Sequence, residues 1–81
     1  MNVMLTRIDE LHTTPMGVER IRRNLSIDTD PVQWCKAAIL SPEAEITRQG
    51  KNYYIKAKGA VITVNAHSFT IITAHRIKGK I

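Results

Sequence analysis

Thr73 and His75 lie two residues apart in a late, β-branched stretch of the chain, with His12 and Arg20 far upstream. Each of these side chains has a defined use in phosphate chemistry. A neutral imidazole takes or gives a proton near neutral pH, and a second one lets acid and base be separate groups. A guanidinium clamps a phosphate through two N–H groups and stabilises the charge of a pentacovalent transition state. A threonine hydroxyl hydrogen-bonds a phosphate oxygen. Together these are the requirements of metal-free RNA cleavage, in which the 2′-hydroxyl attacks its own phosphodiester and the protein supplies proton transfer and electrostatics. The candidate catalytic set is His75 as general acid or base, Thr73 on the phosphate, Arg20 as its clamp and His12 as the second proton carrier.

Positioning such a set falls to a short chain. Its 81 residues allow one domain and one core, with 43% hydrophobic residues. Twelve Lys+Arg against seven Asp+Glu leave a net charge of +5, which favours an acidic partner such as nucleic acid. Cys35 is the only cysteine, so no intrachain disulfide forms and a reducing, cytoplasmic setting is expected. The three histidines are far apart in sequence and offer no metal-ligand spacing, so neither metal nor cofactor is expected. The N-terminus lacks the pattern of a signal peptide, and no apolar run is long enough for a membrane span.

The first half reads as helical. Met4, Leu5, Ile8 and Leu11 repeat at helical spacing, which predicts a helix over about residues 3–11. Thr14 and Pro15 are cap and first residue of a second helix over 15–25, with Val18, Ile21 and Leu25 as its apolar stripe. Gly17, Arg20 and Asn24 form one flank of that stripe. Asp30 and Pro31 open a third helix over 31–40, on which Val32, Cys35 and Ile39 point inward and Trp34 anchors the core.

From residue 44 the chain reads as a meander of strands over about 44–49, 52–57, 60–65 and 68–78. Gly50-Lys51, Lys58-Gly59 and Ala66-His67 are its turns. Pairing outward from them sets Gln49 opposite Asn52, Ala57 opposite Ala60 and Asn65 opposite Ser68. One face is then apolar, from Ile46 through Ile55 and Ile62 to Phe69 and Ile71. On this register Thr73 and His75 continue the apolar face opposite Ala60 and Lys58, where hydrophobic partners run out. The expected architecture is α+β, with three helices packed on one face of a four-stranded antiparallel sheet. The opposite, polar face is a second candidate surface: Thr47, Tyr54, Thr63 and Thr70 form a cross-strand row flanked by Lys56 and Arg76. Tyr54 would stack a base, while Lys56, Arg76 and Lys51 would meet RNA phosphates.

His12-Thr13-Thr14, Gly17, Arg20-Ile21, Asn24-Leu25, Trp34-Cys35-Lys36, Gly50-Lys51-Asn52, Ile62 to Ala66 and Thr70 to His75 resemble, over nearly the whole chain, a small family of uncharacterised bacterial proteins. Helices followed by a four-stranded antiparallel meander are also similar to the barnase–EndoU–colicin–RelE group of metal-independent RNases. Several toxins of that group carry Thr-Ala-Tyr on a late strand and an upstream His and Arg. That resemblance implies that Ile72-Thr73-Ala74-His75 fills the late-strand position, with His in place of Tyr, and that His12 and Arg20 are the upstream pair. The expected function is metal-independent RNA cleavage by a small cytoplasmic protein of toxin or effector type, with RNA as partner and a cognate protein inhibitor as a second. The alternatives are a non-catalytic nucleic-acid-binding module using the polar sheet face and a protein-interaction module.

Overall fold

The computed structural model describes residues 3–77. Two helices, α1 (Pro15–Leu25) and α2 (Pro31–Leu40), precede four strands, β1 (Glu45–Gln49), β2 (Asn52–Ala57), β3 (Ala60–Asn65) and β4 (Ile71–Arg76). The strands form one antiparallel sheet in the order β1-β2-β3-β4, so β4 is an edge strand. The helices cover one face of this α+β fold. Both begin as their residues dictate. The Thr14 hydroxyl accepts from the Gly17 N–H at 3.0 Å, the Asp30 carboxylate accepts from the Val32 N–H at 2.9 Å, and a proline fills the first position of each helix.

The expected first helix over 3–11 is not formed, and the helices number two rather than three. A four-residue helical turn at Val3–Thr6 is followed by a 3-10 turn at Ile8–Glu10. Leu11 is then extended, with φ −64° and ψ 131°, and is buried. The competing demand comes from β4. Its free edge carries unpaired backbone groups, and the extended chain at His12 satisfies some of them. The His12 N–H donates to the Phe69 carbonyl at 3.1 Å, and the Ile71 N–H donates to the His12 carbonyl at 2.7 Å. The Thr13 hydroxyl adds a bond to the Ile71 carbonyl at 3.0 Å. Gly17 lets α1 start directly against this segment, since a Cβ there would collide with the Thr13 hydroxyl.

The first two turns set the register as the sequence predicts, with Gln49 opposite Asn52 and Ala57 opposite Ala60. Gly50 (φ 60°) and the pair Lys58 and Gly59 (φ 51° and 72°) take the left-handed conformations that tight hairpins need. The third turn departs. Asn65 does not face Ser68: its side-chain oxygen accepts the N–H groups of His67 and Ser68 and caps a wider loop. Phe69 closes that loop at φ 58°, and regular pairing resumes with Val64 opposite Ile71. A β-bulge follows, because Thr63 pairs with Thr73 and leaves Ile72 as the extra residue. The strand therefore runs over 71–76 rather than from residue 68; Lys78, its expected last residue, lies outside the described residues.

The bulge reverses the inward and outward alternation of everything beyond it. Ala74, not Thr73 or His75, faces the helices opposite Ile62, and it is fully buried. Ile21, Leu25, Cys35, Ile39, Ile55, Ile62, Phe69 and Ile71 make the body of the core. Phe69 packs edge-on to Tyr53, ring centroids 6.0 Å apart, and the Arg7 guanidinium covers its ring at 4.2 Å. Burial, with a smaller contribution from the Asp30 charge, pushes the Cys35 thiol up to about 12, so it is a packing group and not a nucleophile at neutral pH.

Candidate functional site

Beyond the bulge, side chains expected in two places share one surface. The open sheet face carries the cross-strand row Thr47–Tyr54–Thr63–Thr73, and beside it the row Glu45–Lys56–Val61–His75. Thr73 takes the place in the first row that the expected register, with Asn65 opposite Ser68, assigns to Thr70. The position of Thr73 and His75 is thus corrected from the helix-facing side, opposite Ala60 and Lys58, to the open side, opposite Thr63 and Val61. Energetics favour the observed arrangement. An imidazole and a hydroxyl facing the helices would need buried partners, whereas Ala74 fits there at no polar cost.

Two grooves mark this surface. One, of about 240 Å³, lies across β1 and β2 and is lined by Glu45, Thr47, Gln49, Tyr54, Lys56 and Val61. The other, of about 660 Å³, lies at the C-terminal end of β4 and is lined by Asn24, Val61, His75, Arg76 and Ile77. Val61 borders both, so the polar face continues into the second groove. Its size is in the range of small-molecule sites, and it sets an amide, an imidazole and a guanidinium above an apolar floor.

Arg76 reaches this groove from the helix side, not from the open face where the expected register sets it. Its Nε and one terminal nitrogen donate to the Leu25 carbonyl at 3.1 and 2.9 Å, capping the C-terminus of α1. The other terminal nitrogen makes none of these bonds. Arg20 is exposed and lies on the α1 flank between Gly17 and Asn24. That flank follows β4, because Gly17 abuts Thr13 at one end and Asn24 lines the groove at the other. Lys51 sits in the β1–β2 turn, exposed, at the other end of the strands from the β4 groove.

His12 is not brought to His75. It bridges Thr70 at the start of β4, and the strand rise of about 3.3 Å per residue sets the two histidines on the order of 16 Å apart. Its Nδ1 lies 2.8 Å from the Glu10 carbonyl oxygen and its Nε2 3.0 Å from the Thr70 hydroxyl. The Thr70 hydroxyl is in turn 2.8 Å from that of Ser68. Thr70 as the partner of His12 was not legible in the sequence, because the contact spans 58 residues and depends on the His12 segment docking at the β4 edge. Among the described residues no three His, Cys, Asp or Glu side chains group as a metal site, and no helix is long and apolar enough to cross a membrane.

The chain belongs to the family described as "Protein of unknown function (DUF3781)", which it matches over residues 5–75. No curated protein and no solved structure matches it.

Proposed function

We propose, starting from membership of a family whose description assigns no activity, that this protein binds single-stranded RNA on its open sheet face. The observation that supports this is the bulge at Ile72, which joins Thr73 and His75 to Tyr54 and Lys56 on one surface. Tyr54 offers a ring on which a base stacks, Thr63 and Thr73 offer hydroxyls beside it, and His75 stands where the face runs into the larger groove. Lys56 and the terminal nitrogen of Arg76 that does not bond to the Leu25 carbonyl meet phosphates. Lys56 lies opposite Glu45, so the face is nearly neutral and affinity rests on stacking and hydrogen bonds. Salt dependence is then shallow, with a slope of about 1–2 phosphates.

Fluorescence anisotropy with a labelled uridine-rich oligonucleotide tests this reading. Tyr54→Ala is expected to weaken binding about tenfold, the loss of one stacked base. Binding unchanged by Tyr54→Ala, or no binding at low salt, contradicts it.

RNA cleavage is the second reading, favoured by His75 and Arg76 lining the same groove. With His12 at the other end of β4, His75 is the only proton-transfer group among the described residues that line the groove. It would accept the 2′-hydroxyl proton as that oxygen bonds to phosphorus and return it to the 5′-oxygen as the phosphorus–5′-oxygen bond breaks, while the Arg76 guanidinium neutralises charge on the phosphate. This reading expects cleavage in EDTA that leaves 2′,3′-cyclic phosphate ends and is lost in His75→Ala. Intact RNA after long incubation, in the presence of measurable binding, leaves the binding reading alone.

A further inference from the structure

The hydrogen-bonded chain at the opposite end of β4 has a direction. The Glu10 carbonyl only accepts, so His12 Nδ1 donates to it and carries the proton of the neutral ring. Nε2 is then the basic nitrogen, and the Thr70 hydroxyl donates to it across 3.0 Å. The Ser68 hydroxyl, 2.8 Å from Thr70, completes the relay by donating to the Thr70 oxygen. Hydroxyl, base and the group that orients the base thus stand in the order that activates an oxygen nucleophile.

The arrangement is held rigidly from outside. Phe69, between the two hydroxyl residues, is fully buried and left-handed at φ 58°, a conformation that a bulky side chain seldom adopts. Its ring is fixed by Tyr53 below and Arg7 above. Asn65 fixes the Ser68 backbone from the other side. Docking the His12 segment does not need the relay, since two main-chain bonds and the Thr13 hydroxyl already hold it to β4. The relay remains exposed to solvent at His12, with Thr70 half-buried.

We infer that Thr70 is an acyl-acceptor site, its hydroxyl activated by His12 toward activated carboxylic esters. The Thr70 Oγ1 forms a bond to the acyl carbon, the bond from that carbon to the leaving alkoxide or aryloxide breaks, and His12 Nε2 takes the threonine proton and passes it to the leaving oxygen. The donor class follows from how the flanking N–H groups are used. Those of His67 and Ser68 are engaged by the Asn65 side chain and that of Thr70 by the Ser68 oxygen at 3.4 Å. With these three N–H groups turned away from an oxyanion, esters with good leaving groups are the class that reacts.

The test is incubation of the full chain with p-nitrophenyl acetate, followed by peptide mapping of the acetylated residue. Acetylation is expected on Thr70, to be retained in Thr70→Ser, absent in Thr70→Val, and slowed about 100-fold in His12→Gln by loss of the base. His12→Gln keeps the main-chain bonds that dock the segment, so it reports on the base even where Thr70→Val does not fold. Acetylation confined to lysines, acetylation of Ser68 instead, or a Thr70 rate unchanged in His12→Gln overturns the assignment.

Discussion

The two ends of β4 differ although they belong to one edge strand. At its start the free edge is covered: His12 and Thr13 bond to Phe69 and Ile71, and the hydroxyls of Ser68 and Thr70 are drawn into a relay. At its end, Thr73 and His75 point to the open face, and on the helix side Arg76 ties the strand to the Leu25 carbonyl. Ile72, 42% exposed, is the boundary between these regimes. The difference shows how one inserted residue divides a strand into a half docked against the His12 segment and a half whose side chains meet the open sheet face.

Ala74→Asp breaks this comparison most severely. It sets a carboxylate at the core position that the bulge gives to Ala74, opposite Ile62. Loss of cooperative unfolding in urea is expected, and a variant as stable as the parent chain would show that Ala74 does not face the helices. Phe69→Ala comes next. It removes the anchor of the covered end and is expected to cost about 3–5 kcal/mol, read as a lower urea midpoint.

Cys35 supplies an internal readout of such losses. Its thiol is fully buried and raised to about 12 from an ordinary 9.0, so iodoacetamide at pH 8 reaches it through opening of the fold. Labelling at pH 8 should accelerate in Phe69→Ala. Because the folded value is the higher one, burial of this thiol stabilises fully below pH 9, and that contribution is lost as pH rises toward 12.

Arg76→Ala sharpens the contrast at the open end. The loss of its bonds to the Leu25 carbonyl is expected to cost about 1 kcal/mol in urea unfolding and to weaken RNA binding modestly. The smallest effect belongs to the boundary residue itself. Ile72→Thr keeps the bulge and alters only an exposed side chain, so stability should change by less than about 0.5 kcal/mol.

Much of this fold was legible because glycines announce turns. Gly50 and Gly59 fixed two hairpins, and their registers assigned the apolar face correctly through β3. Ser68-Phe69-Thr70 carries no such signal. A left-handed phenylalanine is stabilised by the burial of its ring against Tyr53, which is a tertiary fact. The missed bulge therefore carried the face of Thr73, His75 and Arg76 with it. The N-terminal segment erred differently: Leu11 does point inward and Ile8 packs on the core, as helical spacing implies. The backbone there left the helix because the β4 edge offered bonds that a helix ending at residue 11 cannot reach. His12 was legible as a chemical group but not as the partner of Thr70, since that pairing spans 58 residues.

Titration of isotope-labelled protein with a uridine-rich oligonucleotide, followed by amide and side-chain NMR shifts, tests the account most directly. The predicted result is saturable shifts at Tyr54, Lys56, Thr73 and His75, fading toward the covered end at Ser68–Ile71. Shifts confined to α1 and α2, or none at all, would contradict it.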